Sequence, residues 1–85
     1  MAHSTSRILR LGVDVGSTTV KAVVLDPETN KVLFTRYQRH NAHQAATARQ
    51  LLEEAAARFP GVRFRIGVCG SGGRPIAGAM GANYI

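Results

Sequence analysis

Between Leu11 and Lys21 the chain reads LGVDVGSTTVK, and this stretch leaves few folds open. Two β-branched apolar runs are separated by only a few turn-forming residues. In the first run, strict alternation puts Leu9, Leu11, Val13 and Val15 on one face of a strand, Ile8–Val15. Arg10, Gly12 and Asp14 then share the other face. Gly16 and Ser17 supply the turn, and a second strand, Thr19–Leu25, follows at once. A connection this short joins antiparallel neighbours. The second strand is apolar on both sides, Val20, Ala22 and Val24 on one and Val23 and Leu25 on the other, which predicts a central place in a sheet. Gly12 has no side chain to pack, so the face it shares with Asp14 is open to close approach.

The rest of the chain reads as a scaffold for that hairpin. Residues 1–7 are a polar lead-in. Pro27 is pre-set for a turn within residues 26–31. Residues 32–37 form a third, more polar strand, expected at the sheet edge. Asn41 is placed to cap a helix, with Gln44 at the capping-box position. The helix is expected to run to about Arg58, burying a stripe of Ala45, Ala48, Leu52, Ala55 and Phe59. Arg49 with Glu53, and Glu54 with Arg58, stand at i, i+4 on its exposed side, each pair worth about 0.3 kcal/mol. Pro60-Gly61 stops the helix. Residues 64–69 form a fourth strand, Gly70-Ser71-Gly72-Gly73 a loop, and Pro75 begins a short helix through Met80. Gly81 ends it, and residues 82–85 open a fifth strand. The expected fold class is α/β: an antiparallel three-strand meander, a crossover helix, a fourth strand parallel to the first, and a short helix. At 85 residues this is one domain or part of one. A fifth strand that is only begun would leave the fourth as an open edge, which favours self-association.

Several residues could carry chemistry. Asp14 followed by Gly16, Ser17, Thr18 and Thr19 suits a phosphate and magnesium site. Backbone N–H groups and hydroxyls bind phosphate oxygens, and a carboxylate holds magnesium directly or through water. Lys21 adds a positive charge if it lies on the face of Asp14, which sequence alone leaves open. The competing reading is a tight hairpin whose polar side chains only satisfy turn backbone. Neither a P-loop nor a dinucleotide fingerprint follows the strand. The Gly70–Gly73 loop leads into a helix and is either a second anion site or a flexible turn, and Arg74 beside it shares that ambiguity. His40 and His43 are too few for a metal site and suit a surface or capping role. Cys69 closes an apolar strand and reads as a buried core thiol.

Composition removes several classes. The net charge is +6, and nine of the eleven basic residues are arginine. That invites a small basic nucleic-acid-binding module, but the cations are scattered and the five aromatic residues sit mostly in core-like settings. No apolar run reaches the ~20 residues of a membrane span. The lead-in has no apolar signal core, so the cytoplasm is the expected compartment. A single cysteine excludes an internal disulfide.

The stretch LGVDVGSTTVKAVVLD resembles the first phosphate-binding motif of the actin, sugar kinase and heat-shock chaperone ATPase superfamily. Within it, the chain is most similar to the ATPases that activate 2-hydroxyacyl-CoA dehydratases and benzoyl-CoA reductases. Three further segments carry that narrower resemblance: Arg36-Tyr37-Gln38-Arg39-His40, then Val68-Cys69-Gly70-Ser71-Gly72-Gly73, then Gly81-Ala82-Asn83-Tyr84-Ile85. The resemblance spans residues 8–85. It implies the first part of a ribonuclease-H-like domain. It also implies that Gly16, Ser17, Thr18, Thr19, Val20 and Lys21 contact ATP phosphates and that Asp14 handles Mg2+ and water. In that family ATP hydrolysis drives an electron from a [4Fe-4S] cluster into a partner dehydratase or reductase. Cys69 does not match the cluster cysteines, so no cluster ligand is expected here. A second phosphate loop, an adenosine motif and a second lobe belong to the superfamily and are not in these 85 residues. The chain is therefore expected to be an N-terminal part with little activity of its own. A fragment of a sugar or other small-molecule kinase of the same superfamily is the alternative that shares the hairpin.

Overall fold

The computed structural model describes residues 7–80 and 82–84. Most of the lead-in, Gly81 and Ile85 lie outside the described residues. The elements run β1 (Ile8–Val15), β2 (Thr19–Leu25), β3 (Val32–Arg39), α1 (Gln44–Arg58), β4 (Arg63–Cys69), α2 (Gly73–Met80) and β5 (Asn83–Tyr84). They form one mixed sheet in the order β3-β2-β1-β4-β5. β2 runs antiparallel to β1 and to β3, whereas β4 is parallel to β1 and β5 to β4. The meander, the crossover helix and the parallel fourth strand are thus as the pattern of residues implies.

Period-two alternation sets the layers. Leu9, Leu11, Val13 and Val15 of β1 and Val20, Ala22 and Val24 of β2 are all buried, and their neighbours along each strand are not. Both helices cover this one face. Ala48, Leu51 and Ala55 of α1 and Ile76 and Ala77 of α2 join the strands in a single core with Val68 of β4. Phe59, at the end of α1, packs edge-on against Phe34 at 6.4 Å and Phe64 at 6.3 Å. These three rings close the core at the end where β1 begins.

α1 differs from expectation in its start and in its register. Asn41 does not cap it. Asn41 and Ala42 take left-handed backbone angles, φ 49° and 68°, and the N-cap is His43, without a side-chain cap bond. The buried stripe is Thr47, Ala48, Leu51 and Ala55, and Ala45 is exposed. This rotation brings polar residues of α1 against the edge strand β3. Its helix-facing Arg36 reaches Glu54 at 3.2 Å, and Gln38 and Gln50 exchange amide hydrogen bonds at 3.3 and 3.5 Å. Glu54 therefore pairs with Arg36 and not with Arg58, whereas the Arg49–Glu53 pair forms at 3.7 Å.

The edge beyond β4 also differs from expectation. β5 pairs with it at Gly67 and Val68, so that part of β4 is covered on that side.

Candidate functional site

The face of the sheet away from the helices carries the odd pairing: small or charged residues where a second layer would need apolar ones. In register across the strands, Asp14 stands between Lys21 of β2 and Cys69 of β4, Gly12 between Val23 and Gly67, and Arg10 between Leu25 and Arg65. Directly opposed residues of antiparallel strands point to the same face. Lys21 and Asp14 are therefore neighbours, which settles the question that spacing left open. Among the described residues the Lys21 ammonium is in no ion pair, so its charge is uncommitted.

Tyr37 stands next in this row, opposite Lys21. It is 72% exposed and so is not the core aromatic that composition suggested. Asp14, Gly16, Thr19, Lys21 and Tyr37 line a recess of about 290 Å³ at the end of β1. A longer trough of about 580 Å³ continues from Asp14 and Lys21 along β1 and β4 over the paired glycines Gly12 and Gly67. Nothing lies within 4 Å of a Cβ built on Gly12, so the open approach inferred for that position is present.

The turn itself is Ser17-Thr18, one residue later than the sequence suggested. Gly16 N–H donates to the Thr19 carbonyl at 2.8 Å and closes it. Among the described residues the hydroxyls of Ser17, Thr18 and Thr19 make no hydrogen bond, and Ser17 and Thr18 are exposed. These hydroxyls do not serve the turn's own backbone, which was the competing reading of the motif.

His40 is the residue that sequence reasoning misjudged. It is buried, 5% exposed, rather than on the surface. Its backbone N–H donates to the Thr18 carbonyl at 3.0 Å. Its Nδ1 accepts the Ala42 N–H at 3.1 Å, so the ring proton is on Nε2, which donates to the Gly16 carbonyl at 3.0 Å. One residue, through its ring and its backbone N–H, thus ties the joint between β3 and α1 to Gly16 and Thr18 of the turn. The only sequence signal was a histidine just past the end of a strand, directly before Asn41 and Ala42.

The glycine loop arrives at the same place. Gly72 N–H donates to the Val15 carbonyl at 2.9 Å. Gly70 has φ 95°, and a Cβ there would strike the Val15 carbonyl oxygen and come within 2.5 Å of Asp14 Oδ1. A Cβ on Gly72 would meet the Gln44 amide at 2.8 Å, so the start of α1 lies over this loop. The Gly70–Gly73 loop and the Ser17-Thr18 turn, separated by some fifty residues, therefore flank Asp14 at one end of the sheet. That is where ligands gather in sheets of this kind, beyond the carboxyl ends of the parallel strands.

Cys69 is not a core thiol. It is half-buried on the open face, in register beside Asp14. Burial pushes its pKa up, and the Asp14 carboxylate pushes the same way. The thiol is therefore protonated at neutral pH and a poor nucleophile. Alkylation by iodoacetamide is expected to reach half its maximal rate above the ~8.5 of an ordinary thiol. Asp14→Asn removes the charge, lowers the thiol pKa and should raise the rate at pH 8 at least ~3-fold. An unchanged rate profile in that variant would separate the two side chains.

No helix among the described residues is long and apolar enough to cross a membrane. No protein-family model and no curated protein matches the chain.

Proposed function

We propose that this chain is the first phosphate-binding subdomain of an actin-like ATPase, of the kind that activates a CoA-ester dehydratase or reductase by ATP-driven electron transfer. The observation that carries the reading is the convergence at Asp14. A carboxylate, an uncommitted ammonium and Thr19 of the hydroxyl turn line one recess, and the glycine loop comes up against Asp14 beside it. The order of elements, a meander followed by a helix, a parallel strand and a second helix, supports a ribonuclease-H-like fold.

The residues fit the nucleotide. Ser17, Thr18 and Thr19 would offer hydroxyls to the phosphate oxygens, and Lys21 a compensating charge. Magnesium takes one or two carboxylates and fills its other positions with water and phosphate oxygens, so Asp14 alone suffices. Among the described residues no group of three His, Cys, Asp or Glu forms a metal cage, which suits an ion that arrives with its nucleotide. Bound there, magnesium would neutralise phosphate charge. Cys69 stands beside Asp14 with its thiol pKa raised, and a [4Fe-4S] cluster of the parent enzyme would rely on cysteines elsewhere. The dehydratase or reductase is the partner that this reading implies, in the cytoplasm.

An amide-resolved titration with Mg-ATP tests the proposal. Weak binding, with a Kd of about 1 mM, should move the resonances of residues 16–21 first. Turnover should be absent, because one lobe cannot close over the nucleotide and exclude water. Shifts confined to the exposed arginines, or robust hydrolysis by these 85 residues, would overturn it.

A further inference from the structure

A turn that receives an anion must present donors and keep its own acceptors occupied. At the Ser17-Thr18 turn one buried residue, His40, occupies two of these acceptors. The Gly16 carbonyl is taken by the His40 ring and the Thr18 carbonyl by the His40 backbone, each at 3.0 Å. What remains uncommitted at the turn's exposed side chains is the set of hydroxyls described above.

The joint that holds His40 is strained. Asn41 and Ala42 are both left-handed, and for residues with a Cβ that conformation costs about 1 kcal/mol or more each. Such strain persists only where surrounding contacts over-determine it. Here the Ala42 N–H is held by His40 Nδ1, and the His43 N–H by the His40 carbonyl at 2.7 Å. α1 begins at the next residue, and its first side chain, Gln44, lies over the glycine loop. The contacts run in one chain from turn to histidine to bend to helix start to glycine loop.

We infer that His40 is the positioning residue of the anion turn. It holds Gly16 and Thr18 by their carbonyls and so keeps the hydroxyl turn donor-rich, while the bend it stabilises fixes the start of α1 over the second loop. This rests on the phosphate reading above and names the residue that makes that site ready before a ligand arrives. His40 touches no phosphate itself.

The test uses His40→Leu, which fills the same space without polar atoms, and His40→Gln, which restores one donor and one acceptor. Magnesium pyrophosphate is the probe. The first readout needs no ligand: hydrogen exchange of the Gly16 amide, whose bond to Thr19 closes the turn. His40→Leu should speed that exchange at least ~10-fold, with the core amides of β1 unchanged, and His40→Gln should return it to within ~3-fold of wild type. Pyrophosphate affinity should follow the same order. Ala42→Gly, which relieves the bend but keeps the ring bonds, should leave both readouts at the wild-type level. Equal Gly16 protection and equal affinity in wild type and His40→Leu would overturn the role of His40 alone. Should His40→Leu not fold, fast Gly16 exchange in a folded His40→Gln chain would overturn it as well. A wild-type chain that binds no pyrophosphate, with the exchange order as expected, would overturn the phosphate reading and the anion role, and leave His40 a structural tie.

Discussion

Gly70→Ala is expected to destabilise the fold by about 3 kcal/mol. Two penalties add. The backbone is at φ 95°, a conformation that residues with a Cβ rarely adopt. The new methyl would also strike the Val15 carbonyl oxygen and sit 2.5 Å from Asp14 Oδ1. The nearer obstacle, the Val15 carbonyl, is backbone anchored by the Gly72 N–H, and it cannot turn aside as the exposed Asp14 side chain can. The loop must therefore move off the end of β1, and the recess around Asp14 opens with it. Two other glycines supply the scale. Gly61 has φ 77° but open space around its Cβ, so Gly61→Ala should cost only the backbone strain, about 1 kcal/mol. Gly12 has neither problem, and Gly12→Ala should be within ~0.5 kcal/mol of wild type. Urea midpoints of the three variants measure this directly. A Gly70→Ala chain no less stable than Gly61→Ala would mean that the loop does not press on β1.

The parts of this structure that were legible in the sequence are those governed by a strict period. In β1 and β2 the alternation is unambiguous, because shifting either strand by one residue would put Arg10, Asp14 or Lys21 into the core. α1 has no such constraint. Its alanines lie on several faces, so a stripe through Ala45 and Leu52 and one through Thr47 and Leu51 are both plausible from spacing. In the rotation adopted, Leu51 enters the core and Glu54 and Gln50 meet Arg36 and Gln38, which arrive from β3. No local pattern carries that information.

The site follows the same division. Asp14 and the hydroxyl turn stand together in sequence, and their chemistry could be read there. The direct opposition of Asp14 and Lys21 depends on where the turn falls: a turn at Gly16-Ser17 would have paired Asp14 with Thr19 and Lys21 with Gly12. The meeting of the two loops, the burial of His40 and the contact of Cys69 with Asp14 all depend on tertiary register between β1, β3 and β4. Residues separated by more than twenty positions are placed against each other by the sheet, and only the sheet reveals it.

Asp14→Ala is expected to invert the dependence of nucleotide binding on magnesium. In wild type the carboxylate sits beside the position proposed for the phosphates. Without magnesium it repels them; with magnesium it becomes a partner through the ion or its waters. Mg-ATP should therefore bind more tightly than free ATP. In Asp14→Ala the repulsion is gone, and Lys21 still attracts the phosphates. Free ATP should then bind at least as well as Mg-ATP, while Mg-ATP loses about 10-fold in affinity. Lys21→Ala supplies the contrast: both forms should weaken together, because an ammonium acts on phosphate charge whether or not magnesium is present. Asp14 is exposed, so stability should change little and cannot account for the inversion. In a longer ATPase that contains this segment, Asp14→Ala should lower turnover at least ~100-fold, since the group that places magnesium and water would be missing. Calorimetric titration of both nucleotide forms into both variants measures the smaller effect, and steady-state hydrolysis the larger. If Asp14→Ala lowers the affinity for both forms equally, the carboxylate is only a structural neighbour of the site, flanked by Lys21 and Cys69. The magnesium role would then have to leave this strand.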